Sequence, residues 1–198
     1  MSDEETPEEL AGQPVISFAT LPDCEAWFAE HHADHRGFWL KIGKVGAAQT
    51  VTYAEALEVA LGHGWIDGQK RGYDDESYWL QRFTPRGPRS RWSQINRDKA
   101  VALIKAGRMR PAGQAQVDAA KANGQWAAAY AGQKSATVPD DLAAALAANP
   151  QAKAFFETLR GANRYAILYR VHDAKKPETR AARIAKFVQM CHNHETIH

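Results

Sequence analysis

Hydrophobic spacing along the chain changes character once. Before about residue 89, period-two stretches alternate with short helical ones. After it, the spacing is 3.6 almost throughout. Residues 15–20, VISFAT, read as a short strand. Pro22-Asp23 then opens a helix with Asp23 as its N-cap and Cys24, Trp27 and Phe28 on one side. In residues 37–44 Phe38, Leu40 and Ile42 point one way and Trp39 and Lys41 the other, as in a strand. Thr52 and Glu55 form a capping box at the head of a helix whose apolar stripe is Ala56, Leu57, Ala60 and Leu61, and Gly62 and Gly64 end it. WIDGQKRGY and SYWLQRFTP then predict a strand pair joined at residues 74–76. Along the second strand Trp79, Gln81 and Phe83 share one face, and Leu80, Arg82, Thr84 and Arg86 the other.

The later helices follow from caps and breakers. Ser93 caps one that runs to about Lys105, Pro111 opens the next, and Gly107 and Gly124 close them. Trp126 and Tyr130 sit in a short helix or turn, GQKSATVPDD is a loop, and four helical stretches, interrupted at Pro150 and Pro177, complete the chain. The expected fold is α+β. A small antiparallel sheet with helices in the N-terminal half packs against an α-helical C-terminal half. The expected division is a disordered acidic tail over residues 1–14, an α/β part over 15–89 and a helical part over 90–198.

Charge adds a candidate site. The first twelve residues hold five acids and no base, which against a net charge of +2 leaves +7 on the remainder. Residues 82–110 hold nine bases and one acid, Asp98. An arginine-bearing strand face that runs into a helix N-terminus is a site for anions, because guanidinium forks and free amide N–H groups converge there. The same run also reads as a solvated basic face, or as arginines paired with the acids at 74–76. The expected ligand-binding residues are Trp65, Asp67, Arg82, Thr84, Arg86, Ser90, Trp92, Ser93 and Asn96. The ligand would be an anionic small molecule or a protein partner, with nucleic acid as a less favoured alternative. Asp67, beside His63, is the candidate acid or base of a rival enzymatic reading, although no nucleophile adjoins it.

Other chemistry is weaker. His31 and His35 have chelating spacing but lack the glutamate of a zinc hydrolase helix, and exposed helix histidines are the better reading; neither a metal nor a cofactor is expected. Residues 174–180, followed by Arg183 and Lys186, form a basic helix start. The tryptophans, with Tyr53, Tyr73, Tyr78 and Phe83, are expected to build the core. Cys24 and Cys191 define no disulfide framework, the N-terminus is acidic where a signal peptide is basic, and no apolar run reaches membrane-span length. These features predict a cytoplasmic protein.

The blocks GHGWIDGQ, QRFTPRGPRSRWSQIN, AGRMRPAG, GQWAAAY and AKKPETRAARI, in order from about Phe38 to Met190, resemble the YdeI/OmpD-associated family of bacteriocin-protection proteins. The resemblance implies protection against bacteriocins or antimicrobial peptides, and association with an outer-membrane porin. It supplies no reaction and no catalytic residue.

Overall fold

In the computed structural model of the chain, residues 8–33, 36–73 and 77–198 are described. They form two compact units. The first holds the chain up to Trp92 together with Asn96–Ala128, and the second holds Ser93–Ile95 with Ala129–His198. The division therefore falls near residue 128, well beyond the expected boundary at 89. Two helices that continue the 3.6 period belong to the α/β unit, and periodicity alone does not say what a helix packs on.

The first unit is built on a five-stranded sheet of order β1-β2-β3-β5-β4, with β1 Glu9–Leu10, β2 Gln13–Ile16, β3 Phe38–Gly43, β4 Trp65–Gly72 and β5 Tyr78–Pro85. The fold class is α+β, as expected, but the sheet is mixed. β2 runs parallel to β3 while every other pair is antiparallel. Helix α1, Leu21–His31, supplies the crossover that a parallel pair requires.

The acidic N-terminal stretch is ordered from Glu8, contrary to the expected tail to residue 14. A turn at Ala11-Gly12, both at positive φ (53° and 72°), folds β1 onto β2. Polar side chains then tie it down. The Tyr73 hydroxyl donates to the Glu8 carboxylate at 2.6 Å, and the Gln13 amide group donates to the Arg36 carbonyl. Composition registers these side chains as solvating, whereas here they are partners.

Helix α1 is capped by Thr20, with Asp23 at the third position as the other half of a capping box; Asp23 is not itself the N-cap. Helix α2, Tyr53–Gly62, starts as its sequence predicts. Thr52 Oγ1 accepts from the Glu55 amide at 3.3 Å and Glu55 accepts from the Thr52 amide at 2.8 Å. Thr52→Ala is expected to lower stability by about 1 kcal/mol in urea unfolding. The Thr52 hydrogen bonds hold the Glu55 carboxyl below its usual range. That contribution is complete above the ordinary glutamate range and disappears as the pH falls through the lowered one. A Thr52→Ala protein should therefore show less acid sensitivity at this step than the parent.

The aromatic rings of one sheet face meet α1. Phe38 lies 5.8 Å from both Phe28 and Phe83, and Trp65 packs edge-on to Phe28 at 5.4 Å. Trp65 is 1% exposed and its indole N–H donates to the His32 carbonyl at 2.9 Å. The expected aromatic core is only partly of this kind. Tyr73 and Tyr78 flank the Lys41 ammonium at 4.4 and 4.6 Å, and Lys70 lies 4.2 Å over Trp79, so these rings remain half-buried under cations. Helices α3, Gln94–Lys105, and α4, Pro111–Ala122, follow.

In the second unit α5 (Asp140–Ala147), α6 (Pro150–Thr158), α7 (Gly161–Asp173) and α8 (Pro177–His192) enclose a separate core that includes Leu142, Phe156, Val171 and Phe187. Cys24 and Cys191 are both free and buried, and burial pushes the Cys24 thiol up to about 12. At such a value the thiol is inert at neutral pH.

Candidate functional site

The β4–β5 hairpin carries a bulge that decides where its polar residues go. Asp67 pairs with Phe83, but the next β4 partner in register, opposite Gln81, is Lys70. The bulge takes carbonyls out of the ladder, and the Gln81 side-chain amide restores their bonds, donating to Gly68 at 2.9 Å and Gln69 at 3.2 Å. Asp67 just before the bulge is half-buried. Its Oδ2 accepts from the Tyr53 hydroxyl at 2.8 Å, and Oδ1 accepts from the Asn96 amide at 3.4 Å. The carboxylate thus ties β4 to the start of α2 and the first turn of α3.

The residues expected to form one anion-binding face are engaged with different partners in the fold. Arg82 donates from Nε to Gln13 Oε1 at 2.8 Å, linking β5 to β2. Thr84 is half-buried, close to Gly37. Arg86 lies past the last residue of β5 and turns inward. It is 6% exposed, its guanidinium stacks 3.6 Å from the Trp92 ring, and Nη1 donates to the Arg91 carbonyl at 3.3 Å. Trp92 in turn packs edge-on to Trp126 at 4.9 Å. Ser90 turns the loop, its Oγ accepting from the Gly87 amide at 3.0 Å, and Gln125 donates to the Pro88 carbonyl at 3.0 Å. Ser93 pairs with Tyr130 in a short parallel bridge within the second unit, and the Gln94 amide donates to the Tyr130 carbonyl at 2.8 Å. One first-turn N–H of α3 is therefore committed to backbone. Trp65 lies in the core.

Other cations of the basic run are locally paired. Lys99 and Arg108 share Glu58 at 3.4 and 3.2 Å, and Arg97 lies 3.5 Å from Asp98. Arg89, Arg91, Lys105 and Arg110 are exposed. The acids at 74–76 lie outside the described residues, as does His35. His31 packs on Trp27 at 5.1 Å. His63 stacks on Phe28, and burial lowers its pKa, with His32 and Arg110 adding to the effect. Among the described residues no group of three His, Cys, Asp or Glu side chains is placed to hold a metal ion. At the head of α8, Arg180 grips Asp141 at 2.5 and 2.9 Å, and Arg183 donates to the Arg170 carbonyl at 2.6 Å. These arginines are ties within the second unit.

The second unit also contains a cavity of about 250 Å³, absent from the sequence reading, lined by Tyr130, Tyr165, Tyr169, His172 and Arg180 among others. Its one sequence signal is the α7 stripe Tyr165, Leu168, Tyr169 and His172. These have the spacing of a core-facing face but carry phenols and an imidazole.

Structurally, this is an α+β unit with a pinned basic loop, and a helical unit with a tyrosine-lined cavity. The chain belongs to the family described as "Domain of unknown function (DUF8412)", whose sequence model matches residues 16–116. A second model, "Bacteriocin-protection, YdeI or OmpD-Associated", matches residues 135–194. The resemblance to that second family is thus carried by the helical unit, with AKKPETRAARI inside the match, while GHGWIDGQ and QRFTPRGPRSRWSQIN fall within the first family's span. Neither a curated protein nor a solved structure matches the chain.

Proposed function

We propose that this is a cytosolic bacteriocin-protection or stress-related protein that acts by binding an anionic small molecule or protein partner at its basic loop. The family match over residues 135–194 supports the protective role. No described helix is long and apolar enough to cross a membrane, and two buried free cysteines suit a reducing compartment.

The observation that carries the binding reading is the pinning of residues 87–91. Arg86 beneath Trp92, Ser90 on Gly87 and Gln125 on Pro88 hold this loop in one shape, with Arg89 and Arg91 exposed on it. A loop already ordered loses little entropy when it binds. Arg86, Ser90 and Trp92 build the loop, while Arg82 ties β5 to β2 and Asn96 ties α3 to Asp67. The rival enzymatic reading gives Asp67 the acid or base role. It is the weaker one, because both Asp67 oxygens already accept hydrogen bonds within the fold.

The test is a thermal-shift screen of the full chain against inorganic phosphate, nucleotides and carboxylates, run beside Arg89→Ala with Arg91→Ala. A ligand near 100 times its dissociation constant adds about 2.7 kcal/mol to the native state. The expected result is a stabilising anion whose effect is lost in the double variant and weakens with salt. An anion that stabilises both proteins equally would remove the loop from the reading.

A further inference from the structure

The cavity of the second unit is an unusual use of a helix face. Tyr165, Leu168, Tyr169 and His172 follow one another on the α7 side that ordinarily fills a core, and about 250 Å³ beside them stays open. A cavity of about 150 Å³ accommodates benzene, so this one has room for a ring with substituents. Its walls are aromatic. Tyr130 meets Tyr169 edge-on at 5.1 Å, and Tyr165 lies 5.9 Å from Tyr169 at a tilt of 42°.

The polar groups around it differ in how far they are committed. The Tyr165 hydroxyl donates to the Ala131 carbonyl at 3.1 Å. Burial, reinforced by Tyr130 and Tyr169, pushes this phenol up to about 12, so it stays neutral. Among the described residues nothing bonds the Tyr169 hydroxyl or the His172 imidazole, and His172 is exposed at the rim. Arg180 spends Nε and one Nη2 hydrogen on Asp141 and one Nη1 hydrogen on the Val171 carbonyl. A guanidinium has five N–H groups, so two are unspent on a side chain that lines the cavity.

We propose that this cavity binds a small planar aromatic acid, its ring against the tyrosines and its carboxylate towards Arg180 and His172. Three phenol rings would by themselves also suit a quaternary ammonium. The hydrogen-bonding groups decide against that. Arg180 lines the cavity with its charge balanced by Asp141, whose two oxygens are both taken. A quaternary ammonium makes no hydrogen bond and would use neither the unspent N–H groups of Arg180 nor the His172 imidazole. A carboxylate accepts from both. This site is independent of the basic loop in the first unit, and neither reading depends on the other.

The test is calorimetric titration of the full chain with benzoate, cyclohexanecarboxylate and benzyltrimethylammonium at one ionic strength. Benzoate is expected to bind about tenfold more tightly than either other probe, since only it combines an aromatic ring with a carboxylate. Tyr169→Leu should weaken benzoate about tenfold, and His172→Ala should weaken it without changing the melting temperature. Nuclear Overhauser contacts from benzoate ring protons to the Leu168 methyl groups of the unmutated chain place the ligand even where a variant folds poorly. No heat up to about 10 mM benzoate, equal or tighter binding of the ammonium, or absence of those contacts overturns the proposal.

Discussion

Gly113→Ala is expected to destabilise the first unit by about 3 kcal/mol or more, large enough to lower the urea midpoint visibly. The sequence alone argues the opposite. Gly113 lies in the first turn of α4, and in a helix alanine is favoured over glycine by up to about 1 kcal/mol. Space overrides propensity here. A Cβ on Gly113 would stand 2.2 Å from the Gly62 carbonyl oxygen and 2.5 Å from Met109 Sδ. The methionine is flexible and can move aside, but the carbonyl is backbone. It belongs to the last residue of α2 and already accepts from the Arg110 amide at 3.1 Å. The end of α2 and the start of α4 touch through two glycines, so the added methyl can be accommodated only by moving a helix. Urea unfolding followed by far-ultraviolet circular dichroism measures the change. A midpoint at or above that of the parent would show that the helices separate freely and that the contact is not close in solution.

Residues whose structure depends on near neighbours were legible in the sequence. The Thr52–Glu55 box, the alternation of Phe38, Leu40 and Ile42, and the two hairpin strands were read from short windows, and the structure has them there. Features set by something distant in the chain were not. Arginines at 82 and 86 read as solvent-facing charge, because a window shows neither Gln13, 69 residues away, nor the folding of Trp92 over Arg86. Glu8 and Gln13 read as tail for the same reason, since Tyr73 and Arg82 lie far along the chain. The parallel β2–β3 pair was missed because alternation gives a strand's faces but not its neighbour's direction. The cavity beside α7 is a still weaker signal. An absence of packing leaves no periodicity, only the odd chemistry of a Tyr-Leu-Tyr-His stripe.

Arg86→Ala is expected to cost about 3 kcal/mol, an effect that bears directly on any test of the basic loop. A desolvated cation–π stack contributes about 2 kcal/mol or more, and a hydrogen bond from a charged donor about 1.5–3. The two share one guanidinium, so their sum overstates the loss. Burying the charge costs something in return, which argues against a figure above about 4 kcal/mol. Arg86→Met separates the contributions. It keeps an apolar stem on Trp92 and removes the desolvation cost, but leaves the Arg91 carbonyl without its donor, so about half the loss should remain. Arg86→Lys should recover little, because an ammonium has neither the plane to stack nor the fork to reach the carbonyl. Urea unfolding of the three variants gives the order. A parent-like Arg86→Ala midpoint would return this residue to the surface and reopen a shared ligand face with Arg82. The expected collapse has a different consequence. An Arg86 variant would lose any loop ligand because residues 87–91 lose their anchor, even if the guanidinium never touched the ligand. Loss of binding on replacing Arg86 therefore says nothing about contact. Only the exposed pair Arg89 and Arg91, whose replacement leaves that anchor in place, can report on the surface itself.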